Sequence, residues 1–210
     1  MTTYTFLNRE AARALYLALV PDPFYVTLED RCGREPETAR EAMFRYMDFA
    51  LKEARDHGRL TLPPDNASGA AVWSRPLPDE TAEKLAARKK TFILEQMGRG
   101  SLDAYARIVD FMAGQSGDAV PEDAWYLSIL GIRPGCQGKG LGKILMMPVL
   151  EEIDRLNLPA YAESFTPENF GFYERLGFRP EKTVVEPLTA SAYTILVRPP
   201  RASEGGSHGR

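Results

Sequence analysis

The sequence predicts a mixed α/β layer structure built on one central sheet. Short β-rich apolar runs recur along the chain, amphipathic stretches of helical period lie between them, and a glycine-rich turn at residues 134–143 joins one such run to one such stretch. At 210 residues, 44% hydrophobic and 26% charged, the chain suits one well-packed domain over residues 1–198.

"YTFL" predicts a short opening strand, after which Asn8 is placed to cap a helix carrying Ala12, Leu15 and Leu19 on one face until Pro21 ends it. Over 37–57, Met43, Met47 and Ala50 recur with Phe44 and Leu51 at helical spacing, and Gly58 follows where a C-cap is expected. "RLTL" and "GAAVWS" flank the turn formers of "PPDNASG", which predicts an antiparallel hairpin. Residues 79–113 have helical composition broken at 98–101, where Ser101 is placed to cap the second half. "AWYLSILGI" then reads as a strand, and "KILMMPVLEEIDRL" beyond the glycine turn as an amphipathic helix with Pro148 inside it. "LPAYAESF" supplies another strand, "TPENFGFYERLGF" a short helix ending at Gly177, and "TVVE" and "SAYTILVR" two late strands. The small, polar tail 199–210 is expected to be disordered.

Composition excludes several classes. No apolar run approaches the roughly 20 residues needed to cross a membrane, and Arg9, Glu10 and Arg13 interrupt the N-terminal apolar pattern where a signal peptide would be unbroken. Two distant cysteines, Cys32 and Cys136, and two histidines, His57 and His208, suggest neither a disulfide scaffold nor a metal site. A reducing cytoplasm is the expected location. A net charge of −3 without a Lys/Arg run argues against a nucleic-acid surface and favours a cationic or neutral small partner.

The stretch "PGCQGKGLGK" has to be a structural turn or a loop whose amides approach an anion. A nucleotide P-loop ending at Gly138-Lys139 would need glycine where Arg133 stands and a hydroxyl where Gly140 stands. The dinucleotide fingerprint would need a small residue at Lys143 or Leu145. While a purely structural Gly-rich turn also fits the loop taken alone, a third pattern, Gln137-x-x-Gly140-x-Gly142 at the opening of a helix, resembles the acyl-CoA loop of the GNAT superfamily of N-acetyltransferases. There, successive amides and the helix dipole hold a pyrophosphate through the main chain. The resemblance implies acetyl-CoA binding by Gln137, Gly138, Lys139, Gly140, Leu141, Gly142 and Lys143.

Downstream, "ESFTPENFGFYERLGF" resembles the superfamily's other recurrent stretch. It implies that Asn169 holds the pantetheine arm and that Tyr173 lies by the thioester sulfur, where a phenol protonates the leaving thiolate. Tyr173 also suits a core position among Phe170, Phe172 and Phe178. "AWYLSILGI" resembles the family's splayed strand, parting at a bulge from "AYAES" within a mostly antiparallel sheet. Leu130 and Ile132 would pair with pantetheine along the opening, and the Leu130 amide would stabilise the oxyanion. Counting back from Ile132 at alternate positions puts Ser128 and Tyr126 on one side, where several members carry Glu or His. Glu163 on the neighbouring strand is the nearest carboxylate and the candidate general base, although an ordinary surface carboxylate, or one that only supports its neighbours, fits equally.

Over most of the chain the resemblance is to the puromycin N-acetyltransferase-like branch, through "GAAVWSRP", "AWYLSILGIRPGCQGKGLGK" and "LPAYAESFTPENFGFYERLGF", with 79–113 as a helical insert. It implies a small-molecule primary amine as acceptor, acetylated by direct attack in a ternary complex, by a monomer or homodimer. Asp22, Tyr25, Trp73, Tyr126 and Ser128 are the candidate acceptor contacts. Core packing suits Trp73, Tyr25 and Tyr126 as well, and turn chemistry suits Asp22. An acyl-CoA sensor without turnover and a protein acetyltransferase are the competing classes.

Overall fold

The computed structural model describes residues 4–200, so the expectation for the tail falls almost wholly outside the described residues. Helices α1 (Arg9–Leu19), α2 (Pro23–Asp30) and α3 (Pro36–His57) precede the hairpin β1 (Arg59–Thr61) and β2 (Gly69–Ser74). The insert forms α4 (Asp79–Met97) and α5 (Arg99–Ser116). Then come β3 (Trp125–Ile132), α6 (Leu141–Leu156), β4 (Ala160–Ser164), a 3₁₀ turn (Pro167–Asn169), α7 (Phe170–Arg175), β5 (Arg179–Glu186) and β6 (Ser191–Arg198).

The six strands form one sheet in the order β1-β2-β3-β4-β6-β5. Its ladders are antiparallel except β3–β4, which is parallel. On one face, Leu145, Met146, Val149, Leu150 and Ile153 of α6 bury against Ala71, Trp73, Leu127, Ala160, Ala162 and Leu196. Their spacing is that of one helical stripe, and Pro148 falls on the exposed side. On the other face, α1 and α3 pack Leu15, Met43 and Met47 near Ala70, Val72 and Ile129, while α5 packs Ile108 and Met112 near Tyr193 and Ile195. Burial of each such aliphatic side chain is worth about 2 kcal/mol.

A bulge in β3 decides which residues face which layer. Val72 opposes Ile129 and Trp73 opposes Leu127, so Ser128 has no residue opposite it. Its Oγ instead donates to the Val72 carbonyl at 3.1 Å. The extra residue breaks the alternation: Leu130 and Ile132 pack toward α6, whereas Tyr126 contacts Glu163 on the opposite face. Counting by twos from Ile132 to Tyr126 therefore fails at Ser128.

Four local expectations change. No strand forms at "YTFL"; the Tyr4 hydroxyl donates to Asp48 at 2.9 Å, and the amides of Leu7 and Asn8 donate to the same carboxylate. Asn8 stands at the N-cap of α1 but makes no capping bond with its own side chain. Ser101 lies inside α5, where its buried Oγ donates to the Leu28 carbonyl at 2.7 Å rather than capping a helix. Gly58, by contrast, stands at the C-cap of α3 as expected, and glycine is required there because a Cβ would meet the Trp73 carbonyl oxygen at 2.0 Å. Finally, Pro21, Asp22 and Pro23 open α2: proline occupies its first turn and the Asp22 carboxylate accepts from the Phe24 amide at 2.9 Å.

Candidate active site

The parallel ladder joins Trp125 to Ala160, Tyr126 to Tyr161 and Leu127 to Ala162, and then stops. Beyond it β3 continues to Ile132 paired only with β2, while Glu163 and Ser164 of β4 pair with Ile195 and Thr194 of β6. The strands thus part where the sequence predicts a splay. Leu130 and Ile132 lie on one lip, and Glu163 and Ser164 on the other.

The glycine turn leaves β3 at this opening and enters α6. Gly140 occupies the N-cap in the left-handed region, φ 78°, and no side chain caps the helix. Its first-turn amides, those of Leu141, Gly142 and Lys143, therefore lack helical acceptors and a capping oxygen. A Cβ added at Gly138 or Gly140 would meet nothing within 4 Å, so the space over the loop is open. The Gln137 side-chain amide donates to the Ile132 carbonyl at 3.0 Å and Lys139 Nζ to the Gly135 carbonyl at 3.1 Å. Lys139 and Lys143 are exposed. Open backbone, free amides, a positive helix end and two lysines fit a pyrophosphate.

Asn169 closes the 3₁₀ turn and is exposed. Tyr173 is buried in α7 between Phe172 and Phe178, with ring centroids at 5.3 and 5.8 Å. Its phenol is pushed up to about 12, first by burial and then by the negative charge of Asp22. Residues about 150 positions apart thereby influence one another through charge. Burial likewise pushes the Asp22 carboxyl up to about 6, against the amides of Phe24 and Tyr25.

Glu163 is the second centre. Its Oε2 accepts from the Tyr126 hydroxyl and its Oε1 contacts Ser116 Oγ, both at 2.9 Å. Burial raises its pKa, and the two hydroxyls partly offset that rise. Tyr126 stacks on Tyr161 at 4.5 Å, and both phenols are held protonated by burial first and the Glu163 charge next. Tyr25 belongs to the same neighbourhood, packed edge-on against Phe24 and Tyr46. A carboxyl whose proton affinity is raised by burial, held by two hydroxyls beside an opening, is suited to accept and return a proton.

Trp73 stands apart from this gathering. It is fully buried on the α6 face, with no ring face left for an acceptor to stack on. Ser128 is committed to the Val72 carbonyl. Two residues of the cluster were not anticipated. Tyr161 shares the face of Glu163 two residues on, a period-2 signal present in "AYAES". Ser116, 47 residues from Glu163, carries no local signal at all.

The profile described as the Acetyltransferase (GNAT) family matches residues 62–178, which include both the glycine turn and Tyr173. Among solved structures, a polyamine N-acetyltransferase of Drosophila melanogaster that forms N-acetylagmatine is 17% identical, with 91% of this chain and 95% of that one covered and a TM-score of 0.62. A protein of Corynebacterium glutamicum described as histone acetyltransferase HPA2 and related acetyltransferase is 16% identical, with 97% of each chain covered and a TM-score of 0.60. An agmatine N-acetyltransferase variant is 15% identical, covering 92% of this chain and 97% of that one, with a TM-score of 0.55. At these identities the likeness is one of fold.

Proposed function

The chain belongs to the acetyltransferase (GNAT) family and is an acetyltransferase; from there we propose that it transfers an acetyl group from acetyl-CoA to the primary amine of a small molecule, by direct attack in a ternary complex. Acetyl-CoA, when bound, supplies an activated carbonyl with a thiolate leaving group. The amides from Gln137 to Lys143 hold its pyrophosphate, with Asn169 on the pantetheine arm and Leu130 and Ile132 along the strand opening. Leu130 contributes its amide to the developing oxyanion. Glu163 takes the amine proton, oriented by Tyr126, and Tyr173 gives a proton to the leaving sulfur.

The observation that carries this reading is the parting of β3 from β4, with the open glycine turn at the end of one strand and the Glu163 carboxyl on the other. Glu163 is a carboxyl poised to accept, and Tyr173 is a phenol kept protonated up to about 12. Asp22, Tyr25 and Tyr126 add negative charge and aromatic surface, which suits an ammonium-bearing acceptor. The acceptors in the names of the polyamine and agmatine enzymes, and the resemblance to the puromycin N-acetyltransferase-like branch, support a small amine over a protein chain. We read residues 1–198 as one domain with 79–113 as its insert, acting in the cytoplasm.

Calorimetric titration with acetyl-CoA, and with ATP and magnesium as control, tests the donor site. Saturable heat with acetyl-CoA alone is expected. Thiol release is then followed with agmatine, spermidine and puromycin as acceptors. Binding of acetyl-CoA without thiol release above hydrolysis for any amine would favour a sensor over an enzyme of small amines.

A further inference from the structure

Ser116, the last residue of α5, meets two oxygens with one hydrogen. Its Oγ lies 3.0 Å from the Met112 carbonyl and 2.9 Å from Glu163 Oε1, while Tyr126 donates to Glu163 Oε2. A hydroxyl has one donor hydrogen and two acceptor lone pairs, so Ser116 cannot donate to both neighbours. When Glu163 is ionised, Ser116 gives its hydrogen to Oε1. When Glu163 is protonated, its own O–H donates to Ser116 Oγ and the serine hydrogen turns to the Met112 carbonyl. Both arrangements satisfy every hydrogen without moving a heavy atom.

We propose that Ser116 is a positioning residue of the reaction, a two-state hydroxyl that keeps the Glu163 carboxyl in one place whether or not it carries the acceptor's proton. This rests on the reading of Glu163 as general base. The proton balance is simple: the acceptor's N–H proton moves to Glu163 Oε1, the bonding pair stays on nitrogen for attack on the carbonyl, and the Ser116 hydrogen swings to Met112. Loss of the Glu163 proton to water reverses the swing. The insert thus has a chemical reason to reach the sheet, since α5 ends on the carboxylate of β4.

Other groups around Glu163 do not supply this service. Tyr126 from β3 already donates to Oε2. Tyr161 on β4 and Tyr193 on β6 are phenols that burial and the Glu163 charge keep protonated, and Tyr25 on α2 reaches the cluster through Tyr126. Lys182 on β5 stands opposite Ile195, the same β6 residue that Glu163 pairs with, and its Nζ donates to the Gln115 carbonyl at 3.4 Å.

The test is a ¹³C NMR titration of the glutamate carboxyls in the full chain, with Glu163→Gln identifying the Glu163 resonance. In Ser116→Ala both states lose a hydrogen bond, but the one to the carboxylate is charge-assisted and the stronger, so the Glu163 midpoint rises by roughly half a pH unit. Ser116→Thr, which keeps a hydroxyl, stays near the parent, and Ser116→Cys, a weak donor, falls between. Midpoints that coincide in the alanine and cysteine variants and the parent overturn the proposal, as does a threonine variant that behaves like alanine. Acetyl transfer measured on the same variants reports separately on the base. An acid limb that ignores a moved NMR midpoint removes Glu163 from the chemistry, and Ser116's part in the reaction with it, leaving only the hydrogen-bond exchange between the two side chains.

Discussion

Tyr126 and Glu163 share a 2.9 Å hydrogen bond at the last parallel rungs before β3 and β4 separate. The contact ties a phenol from the paired part of β3 to the carboxyl on the β4 lip of the opening. Because burial lifts Glu163, transfer falls as pH drops through its pKa, where the base becomes protonated. Glu163→Gln should lower kcat by about 10²-fold with acetyl-CoA affinity unchanged. Tyr126→Phe removes a donor to the carboxylate and should move the acid limb of the pH–rate profile upward; a limb that moves downward would contradict the assignment.

Tyr173→Phe keeps the ring packing with Phe172 and Phe178 and removes only the hydroxyl. The expected result is a kcat about 10²-fold lower with calorimetric acetyl-CoA binding preserved. A phenol near 12 stays protonated through the assayable range, so parent activity should show no alkaline limb from this residue. An unchanged rate in the variant would mean that the thiolate takes its proton elsewhere.

Gly140 and Gly142 fail differently when substituted. At Gly140 the left-handed φ costs an L-residue about 1 kcal/mol and a β-branched one more, but the space is open. Gly140→Val should therefore fold with a melting temperature a few degrees lower and give no heat with acetyl-CoA. At Gly142 a Cβ meets the Phe172 ring at 3.1 Å. Gly142→Val should disturb α7 as well as binding, seen as a changed aromatic circular dichroism that Gly140→Val does not show.

Asp22 trades stability for charge. Its folded pKa of about 6 exceeds the ordinary value of 3.8, so the folded chain holds this proton more tightly than the unfolded chain. The associated stability is complete below about 4 and lost as pH rises to about 6. Asp22→Asn can still accept from the Phe24 amide and does not titrate. It should be more stable than the parent at pH 7, by about 2 kcal/mol, and no more stable at pH 4. Its KM for a cationic acceptor should rise; equal KM values would remove Asp22 from the acceptor site.

Much of this was legible in the chain. The stripe of α6, the long period of α3 and the apolar run of β3 are signals spread over many residues, and the glycine spacing marks the loop whatever surrounds it. Short segments were less informative. "YTFL" has strand-like composition but is held by Asp48 of α3, and the prolines beside Asp22 suit a turn as well as the start of α2.

The sequence by itself determined the order of the elements from α3 onward and the glycine turn before α6, because periodicity and backbone freedom are local properties, while Tyr173 became a candidate through family resemblance and Glu163 through its place on the neighbouring strand. Only the tertiary structure decided which groups meet. One unpaired residue, Ser128, exchanges the faces of β3, and the end of α5 arrives at β4 through a contact between residues 47 positions apart. A period-2 pattern survives only while the register does, and an alignment of strands and helices across such separations is set by packing of the whole core.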